Sequence, residues 1–344
     1  MSSLPLQSQS SSVPVKCIDL TKYNICAKIC GTIMKELVEN IRNKTILNVL
    51  ELCKYGNNRI IEECNKIYKK ETIKGIAFPT CISLNNCSGN YIYEESKGDE
   101  FNFIKVGDII KIEIGVNISG CIAILGETIT YDNSEEDDII KLLNGLQKDI
   151  VKMIKVDEIN DEIKIHVESK CTEYNCFPIE NCTSYQQLDG HLNTQDSKFI
   201  ILNYNKYYDG DDNLVVDENL CFEFEEGDIF NINLTVIKNN QENDEHTYIE
   251  SHEPHIYRYN EYFYNLKLKT SREFFSMIKS KYGNNAFDCR EYKSNIRNRI
   301  GIKESLENGI MTGYPILYSK DKSCIYHKKF TIIVGKDKSM VLKY

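Results

Sequence analysis

The stretch Lys111–Tyr131, "KIEIGVNISGCIAILGETITY", reads as strand, turn, strand. Apolar and polar residues alternate with period two on either side of a polar "NIS", the pattern of a hairpin laid against a core. The same stretch poses a chemical problem. Glu113 stands where a strand would carry a metal-binding carboxylate. An aliphatic residue stands where the next acid should be.

Upstream, Ile25, Ile29, Ile33, Leu37 and Ile41 recur at every fourth position and predict a helix from Lys22 to about Ile41. A second helix is expected from about Leu47 to Tyr68, with Ile60, Cys64 and Ile67 on one face and "KYGNN" (54–58) as a point of interruption. "GIAFPTCISLNN" (75–86) reads as a buried strand. Downstream, the acidic "DNSEEDD" (132–138) stops the hairpin, and helices are expected from about Ile139 to Lys155 and over 159–176. "GDIFNINLTVI" (227–237) and "CIYHKKFTIIV" (324–334) read as strands, with "QENDEH" (241–246) as a solvated loop. Between those strands lie helical segments at 272–282 and 290–310. Strands and helices intermix, so the fold class is α/β, with a mostly helical insertion interrupting the sheet.

The chain has 344 residues, and 41% of them are hydrophobic, enough to bury a sizeable core. No apolar run reaches the ~18–20 residues of a membrane span, so a soluble protein is expected. Residues 1–16 are Ser/Gln-rich and read as a disordered leader, not a secretory signal. The 14 cysteines include no CxxC pair. They are expected as reduced, small hydrophobes in a cytoplasmic or nuclear protein. The net charge is -9, yet Asn265 to Lys303 holds ten Lys/Arg against three acids. A basic island on an acidic body suits a local polyanion contact, although a solvated helix face would show the same charge.

The strands offer Glu113, Asn233 and Lys329 to one pocket. Two-metal hydrolases need several carboxylates and a histidine, and a lysine ammonium has no lone pair to give. "SHEPH" places His252 and His255 three apart near His246, the wrong step for a zinc helix, and Pro254 opposes a helix interior. His191 is read as an exposed loop residue, or as a displaced ligand if the loop registers differently.

"KGIAFPTCISLNNCSGNY", "VGDIIKIEIGVNISG", "LKTSREFFSMI" and "NRIGIKESLENGIMTGYPILYSKD…FTIIV" together resemble type 2 methionine aminopeptidases. They resemble still more the non-enzymatic proliferation-associated, or ErbB-receptor-binding, family, and "LKTSREFF" is the most diagnostic segment. The resemblance runs from Thr21 to the C-terminus. It implies a pita-bread fold over 17–344, with two pseudo-symmetric halves sharing a curved antiparallel sheet and a helical insert at about 258–315.

Matched residue by residue, the first ligand aspartate of the aminopeptidases falls on Glu113, the second on Ile124 and the ligand histidine on Tyr185. The two glutamates fall on Asn233 and Lys329, and the pocket histidine on Asn90. The resemblance therefore implies a vacated metal site without cofactor or catalysis, and a Lys329–Glu113 salt bridge is the expected replacement. It also implies a monomeric partner of RNA and the large ribosomal subunit near the tunnel exit, cytoplasmic with nuclear or nucleolar traffic. Lys267, Lys269, Arg272, Arg297 and Arg299 are the expected phosphate contacts. The chain stops at "VGKDKSMVLKY", so roles that depend on a lysine-rich tail are not expected. The alternatives are a cleft that binds nascent peptides or protein partners, and a residual peptidase using Glu113 and His191 with one ion.

Overall fold

The computed structural model describes residues 18–344 except 97, 132–136, 181, 195, 204–206, 209–213, 216–220, 240–248 and 261–263. The expected leader, the loop 241–246, His246 and most of the acidic segment 132–138 lie outside the described residues. In chain order the first half comprises α1 (Leu20–Arg42), α2 (Val49–Lys66), β1 (Lys74–Leu84), the one-turn α3 (Asp99–Asn102), β2 (Ile109–Ile118) and β3 (Cys121–Thr130). The second half begins with α4 (Asp138–Met153), α5 (Asp161–Glu173), β4 (Cys176–Pro178), β5 (Thr183–Gln186) and β6 (Phe199–Ile201). The short pair β7 (Tyr207–Tyr208) and β8 (Leu214–Val215) precedes β9 (Ile229–Lys238) and β10 (Ile249–Tyr259). Then come α6 (Lys269–Tyr282), β11 (Phe287–Asp288), α7 (Ile296–Glu307), β12 (Met311–Ser319), β13 (Ile325–Ile333) and β14 (Met340–Val341).

Both leading helices start on a side-chain cap. Asp19 accepts from Lys22 N, and Asn48 accepts from Glu51 N, each satisfying a donor that the first turn leaves free. The predicted stripe on α1 is buried at Ile29, Ile33, Leu37 and Ile41. "KYGNN" does not interrupt α2. A Cβ on Gly56 would lie 2.5 Å from Thr80 Oγ1, so glycine there lets α2 lie directly on β1. Its neighbour Asn57 accepts from Thr80 N at 2.8 Å, at the register shift that Pro79 imposes on β1.

The hairpin turns at Ser119–Gly120, the last residue of "NIS" and the one after it. Both turn residues have positive φ, 54° and 85°, as a two-residue hairpin turn with the strands' own twist requires. Asn117 and Ile118 stay in β2, and Asn117 Oδ1 accepts from Gly120 N at 2.8 Å.

The main sheet runs β1-β2-β3-β13-β9-β5-β6, every neighbouring pair antiparallel. Its seam is the pairing of β3 with β13, where Gly126 meets Lys329 and Leu125 meets Phe330. On one side of the seam a core forms from α1, α2 and β1–β3 (Ile33, Leu37, Leu52, Ile112, Ile114, Ile122). On the other a second core forms from α4, α5, β9 and β13 (Leu143, Leu146, Val167, Phe230, Leu234, Phe330). Two helix pairs backing two strand groups give the expected pseudo-symmetric plan.

Sequence reading overlooked two long strands, β10 and β12, which pair with each other and, through β10, with β11. Pro254 and the polar "SHEP" break the period-two signal, and the register shift between His252 and Ile256 accommodates them. α6 and α7 pack beside this sheet on their own core of Tyr257, Phe274, Ile278, Phe287, Tyr292 and Ile302. The helices approach closely because Gly301 faces Phe274, whose Cβ would lie 2.7 Å from a Cβ at 301.

Candidate functional site

Register places the candidate residues before any ligand is considered. Glu113 on β2 faces Gly126 on β3, Gly126 faces Lys329 on β13, and Lys329 faces Asn233 on β9. Two residues along, on the same face, Ile124 faces Gly115, Thr331 faces Asn231, and Asn231 faces Tyr185 on β5. These two rows form the floor of a cleft of about 330 Å³. Glu113, Ile124, Tyr185, Asn233 and Lys329 all line it, as does Asn90 from the loop after β1. All six residues singled out in the sequence therefore meet in one place.

Lys329 Nζ donates to Glu113 Oε2 at 2.6 Å, with side chains 11% and 4% exposed. The lysine does not reach for water. Gly126 makes its course possible, since a Cβ there would lie 2.8 Å from Lys329 Cβ. Beside the pair, His327 is buried with Nε2 3.3 Å from the Ile112 carbonyl. Burial, reinforced by the charges of Lys329 and Lys111, holds its pKa well below the usual value and keeps it neutral.

The remaining polar groups are mostly engaged. Asn233 Oδ1 accepts from Thr235 at 2.7 Å, and its backbone N–H donates to Ser184 Oγ at 2.8 Å. Asn90 holds a left-handed φ of 61° and donates to the Pro315 carbonyl at 2.8 Å. Asn231 Oδ1 accepts from Gln187 and Thr331, each at 2.8 Å, leaving its Nδ2 without a partner. Burial raises the Tyr185 phenol well above its usual pKa, so it stays protonated.

This donor set does not fit the ion pair of an aminopeptidase. A single carboxylate already carries an ammonium, and the other groups are amides, a neutral phenol and an aliphatic chain. Such a set can neither balance two divalent charges nor fill their coordination shells. Among the described residues no group of three or more His, Cys, Asp or Glu has metal-holding geometry.

The histidines set aside in the sequence have other duties. His191 is buried and not exposed, with Nε2 2.7 Å from Asn284 Nδ2, and it does not line the cleft. His252 packs edge-on to Tyr318. His255 is buried and its Nδ1 accepts from Ile92 N at 3.3 Å.

Comparison with known proteins places this geometry. No protein-family profile matches the chain. ErbB-3 binding protein 1 of Solanum tuberosum is 27% identical over 323 residues, which cover 92% of this chain and 78% of that one. The chain is thus similar to an ErbB-3 binding protein over most of its length. The fold is that of a solved thermophilic Arx1, with TM-score 0.77, 20% identity, and coverage of 94% of this chain and 90% of the other. A methionine aminopeptidase from Rickettsia prowazekii superposes with TM-score 0.55 at 12% identity, over 94% of this chain and 95% of that one. The architecture is thus the pita-bread fold of the methionine aminopeptidases, as the sequence led us to expect.

The five basic residues expected to contact phosphate are all exposed and lie on or just before α6 and α7. They are not equivalent. Arg272 spends its guanidinium on the carbonyls of Leu266 and Lys267, at 2.7 and 2.9 Å, fixing the entry to α6. Lys269 lies 3.8 Å from Glu273. Lys267, Arg297 and Arg299 keep their side-chain charges unpaired among the described residues. Elsewhere in the basic island, Arg290 is held by Asp288 and Lys293 by Glu253.

The cleft also contains residues that sequence reading missed. Asn231 sits two positions before Asn233, so strand alternation was a sufficient signal for it. Arg258 and Tyr314 belong to β10 and β12, the strands that were overlooked.

Proposed function

We propose that this protein is a non-enzymatic binding protein on an aminopeptidase frame, docking on the RNA of the large ribosomal subunit near the tunnel exit. The buried Lys329–Glu113 pair carries the non-enzymatic part of this reading, because it puts a fixed cation where the related enzymes need ligands. The residual-peptidase alternative required His191 beside Glu113, and His191 is committed elsewhere. Docking is supported by the resemblance and by Lys267, Arg297 and Arg299 on the α6–α7 face. Contacts of this kind give salt-dependent affinity without base specificity. On this reading the protein works in the cytoplasm and passes through the nucleus.

The test is co-sedimentation with purified large ribosomal subunits over a salt series. A variant carrying Lys267→Glu, Arg297→Glu and Arg299→Glu keeps Arg272, so the start of α6 is untouched. The wild type is expected to pellet at moderate salt and the variant to remain in the supernatant. Equal pelleting of both would remove the face from the proposal, and failure of both would remove the ribosome. Turnover of methionyl peptides by the wild type with added Mn²⁺ or Co²⁺ would overturn the non-enzymatic reading.

A further inference from the structure

Besides the Lys329–Glu113 pair, the described residues of the cleft include one more charged side chain, and it makes no ion pair among them. Arg258 lines the cleft from β10, opposite Thr312 of β12. It is partly exposed and has neither hydrogen bond nor ion pair among the described residues. Its charge reaches the buried phenols of both Tyr185 and Tyr314. Three buried polar atoms of the same cleft lack partners among the described residues: the Tyr314 hydroxyl and Asn231 Nδ2, which can donate, and Asn193 Oδ1, which can only accept. Phe78, Ile124, Phe199, Ile201 and Leu317 supply apolar walls.

The sum of these groups has a sign. Lys329 and Glu113 cancel, so the described lining carries one net positive charge, with hydroxyl and amide donors beside an apolar surface. A free amino terminus, the group presented by aminopeptidase substrates, would meet two cations and a carboxylate already engaged. A carboxylate would meet a guanidinium fork suited to bidentate pairing and unfilled donors whose burial is otherwise costly. At about 330 Å³ the space is at the small end of ligand pockets.

We infer that the cleft binds a carboxylate borne on a small apolar body, such as the free C-terminal end of a peptide with an apolar last residue, and that Arg258 is the group that recognises it. The polarity is thereby the reverse of the related enzymes. The inference rests on the cleft being free of metal and is independent of ribosome docking.

The test is calorimetric titration of the full chain with N-acetyl-Phe-Leu, its C-terminal amide, the free-amino dipeptide amide, and 4-phenylbutyrate as a non-peptide acid. Each is run with and without EDTA. The expected result is binding of N-acetyl-Phe-Leu at least tenfold tighter than of either amide, unaffected by EDTA. Arg258→Gln should abolish that difference while leaving thermal unfolding unchanged. Phenylbutyrate bound as tightly as the peptide acid would assign the site to small acids, and weaker binding would assign it to peptide ends. Equal affinity for acid and amide, preference for the free amine, or no binding by any probe would overturn the inference alone. Acid binding that disappears with EDTA and returns with Zn²⁺ or Mn²⁺ would overturn the metal-free reading and this inference with it.

Discussion

Lys329→Met should be among the most damaging single changes at the cleft, and the double variant Lys329→Met/Glu113→Leu should recover much of the loss. In the wild type the ammonium and carboxylate lie 2.6 Å apart, with 11% and 4% of their side chains exposed. Removing one partner leaves an uncompensated buried charge, which typically costs about 3–5 kcal/mol. Removing both trades the pair for apolar contact beside Ile124 and the Lys329 stem, a change that is often near neutral. Urea unfolding at pH 7 of the wild type, both single variants and the double variant gives the coupling energy directly. We expect a coupling of about 2–4 kcal/mol. A value under about 0.5 kcal/mol would mean that the charges do not depend on one another, and the pair would lose its place as the occupant of the cleft floor.

Two buried bases make stability depend on pH in opposite ranges. Burial first, then Arg290, lowers His255 to a pKa of about 4. Between pH 6.5 and 4 the unfolded chain takes up a proton that the native state refuses, so stability falls with acidification, by up to about 3 kcal/mol from this group. His255→Gln keeps an acceptor for Ile92 N and should shrink the acid limb of a urea-stability profile, with His327 still contributing in the same direction. An unchanged limb would refute the assignment. Lys111 is fully buried, donates to the Asn85 carbonyl at 2.6 Å, and is pushed down by burial to about 8. Below that pH both states are protonated. From pH 8 to 10.5 only the unfolded chain holds the proton, so wild-type stability relative to Lys111→Met should rise by up to about 3 kcal/mol. A difference that is flat across that range would show that Lys111 is solvated in the native state.

Much of the main sheet was legible because its strands obey simple rules. The alternation in Lys111–Tyr131 and the stripe on α1 each name a buried face, and the structure buries those faces, although β2 is buried on its polar face as well, at Lys111, Glu113 and Asn117. The Lys329–Glu113 contact was legible by a different route, since a resemblance placed two strands side by side that are far apart in the chain. Local pattern failed where a backbone irregularity is repaired from a distance. Gly56 and Asn57 looked like a helix break until Thr80 was set against them. Pro254 looked incompatible with a ladder, but its strand shifts register past it. With β10 and β12 unseen, Arg258 and Tyr314 could not be assigned to the cleft, and its positive sign stayed hidden. The sequence singled out five of the island's ten basic residues and treated those five alike. Only geometry separates Arg272, which holds backbone carbonyls, from Arg297 and Arg299, whose guanidinium groups have no partner among the described residues.

The seam between β3 and β13 dictates an order of events during synthesis. Everything on one side of it, from Leu20 to Thr130, is made before α4 begins, and most of its core comes from its own helices and strands, with Ile229, Ile256, Ile316 and Ile333 added later. The outer edge of β3 then waits, its backbone groups unpaired and Ile122 and Leu125 at hand, for a strand that starts only at Ile325. An open apolar edge recruits other edges, and incompletely made chains meet that hazard at their highest local concentration. Arrest of translation between Thr130 and Ile325 should therefore yield a half-protein that associates with copies of itself.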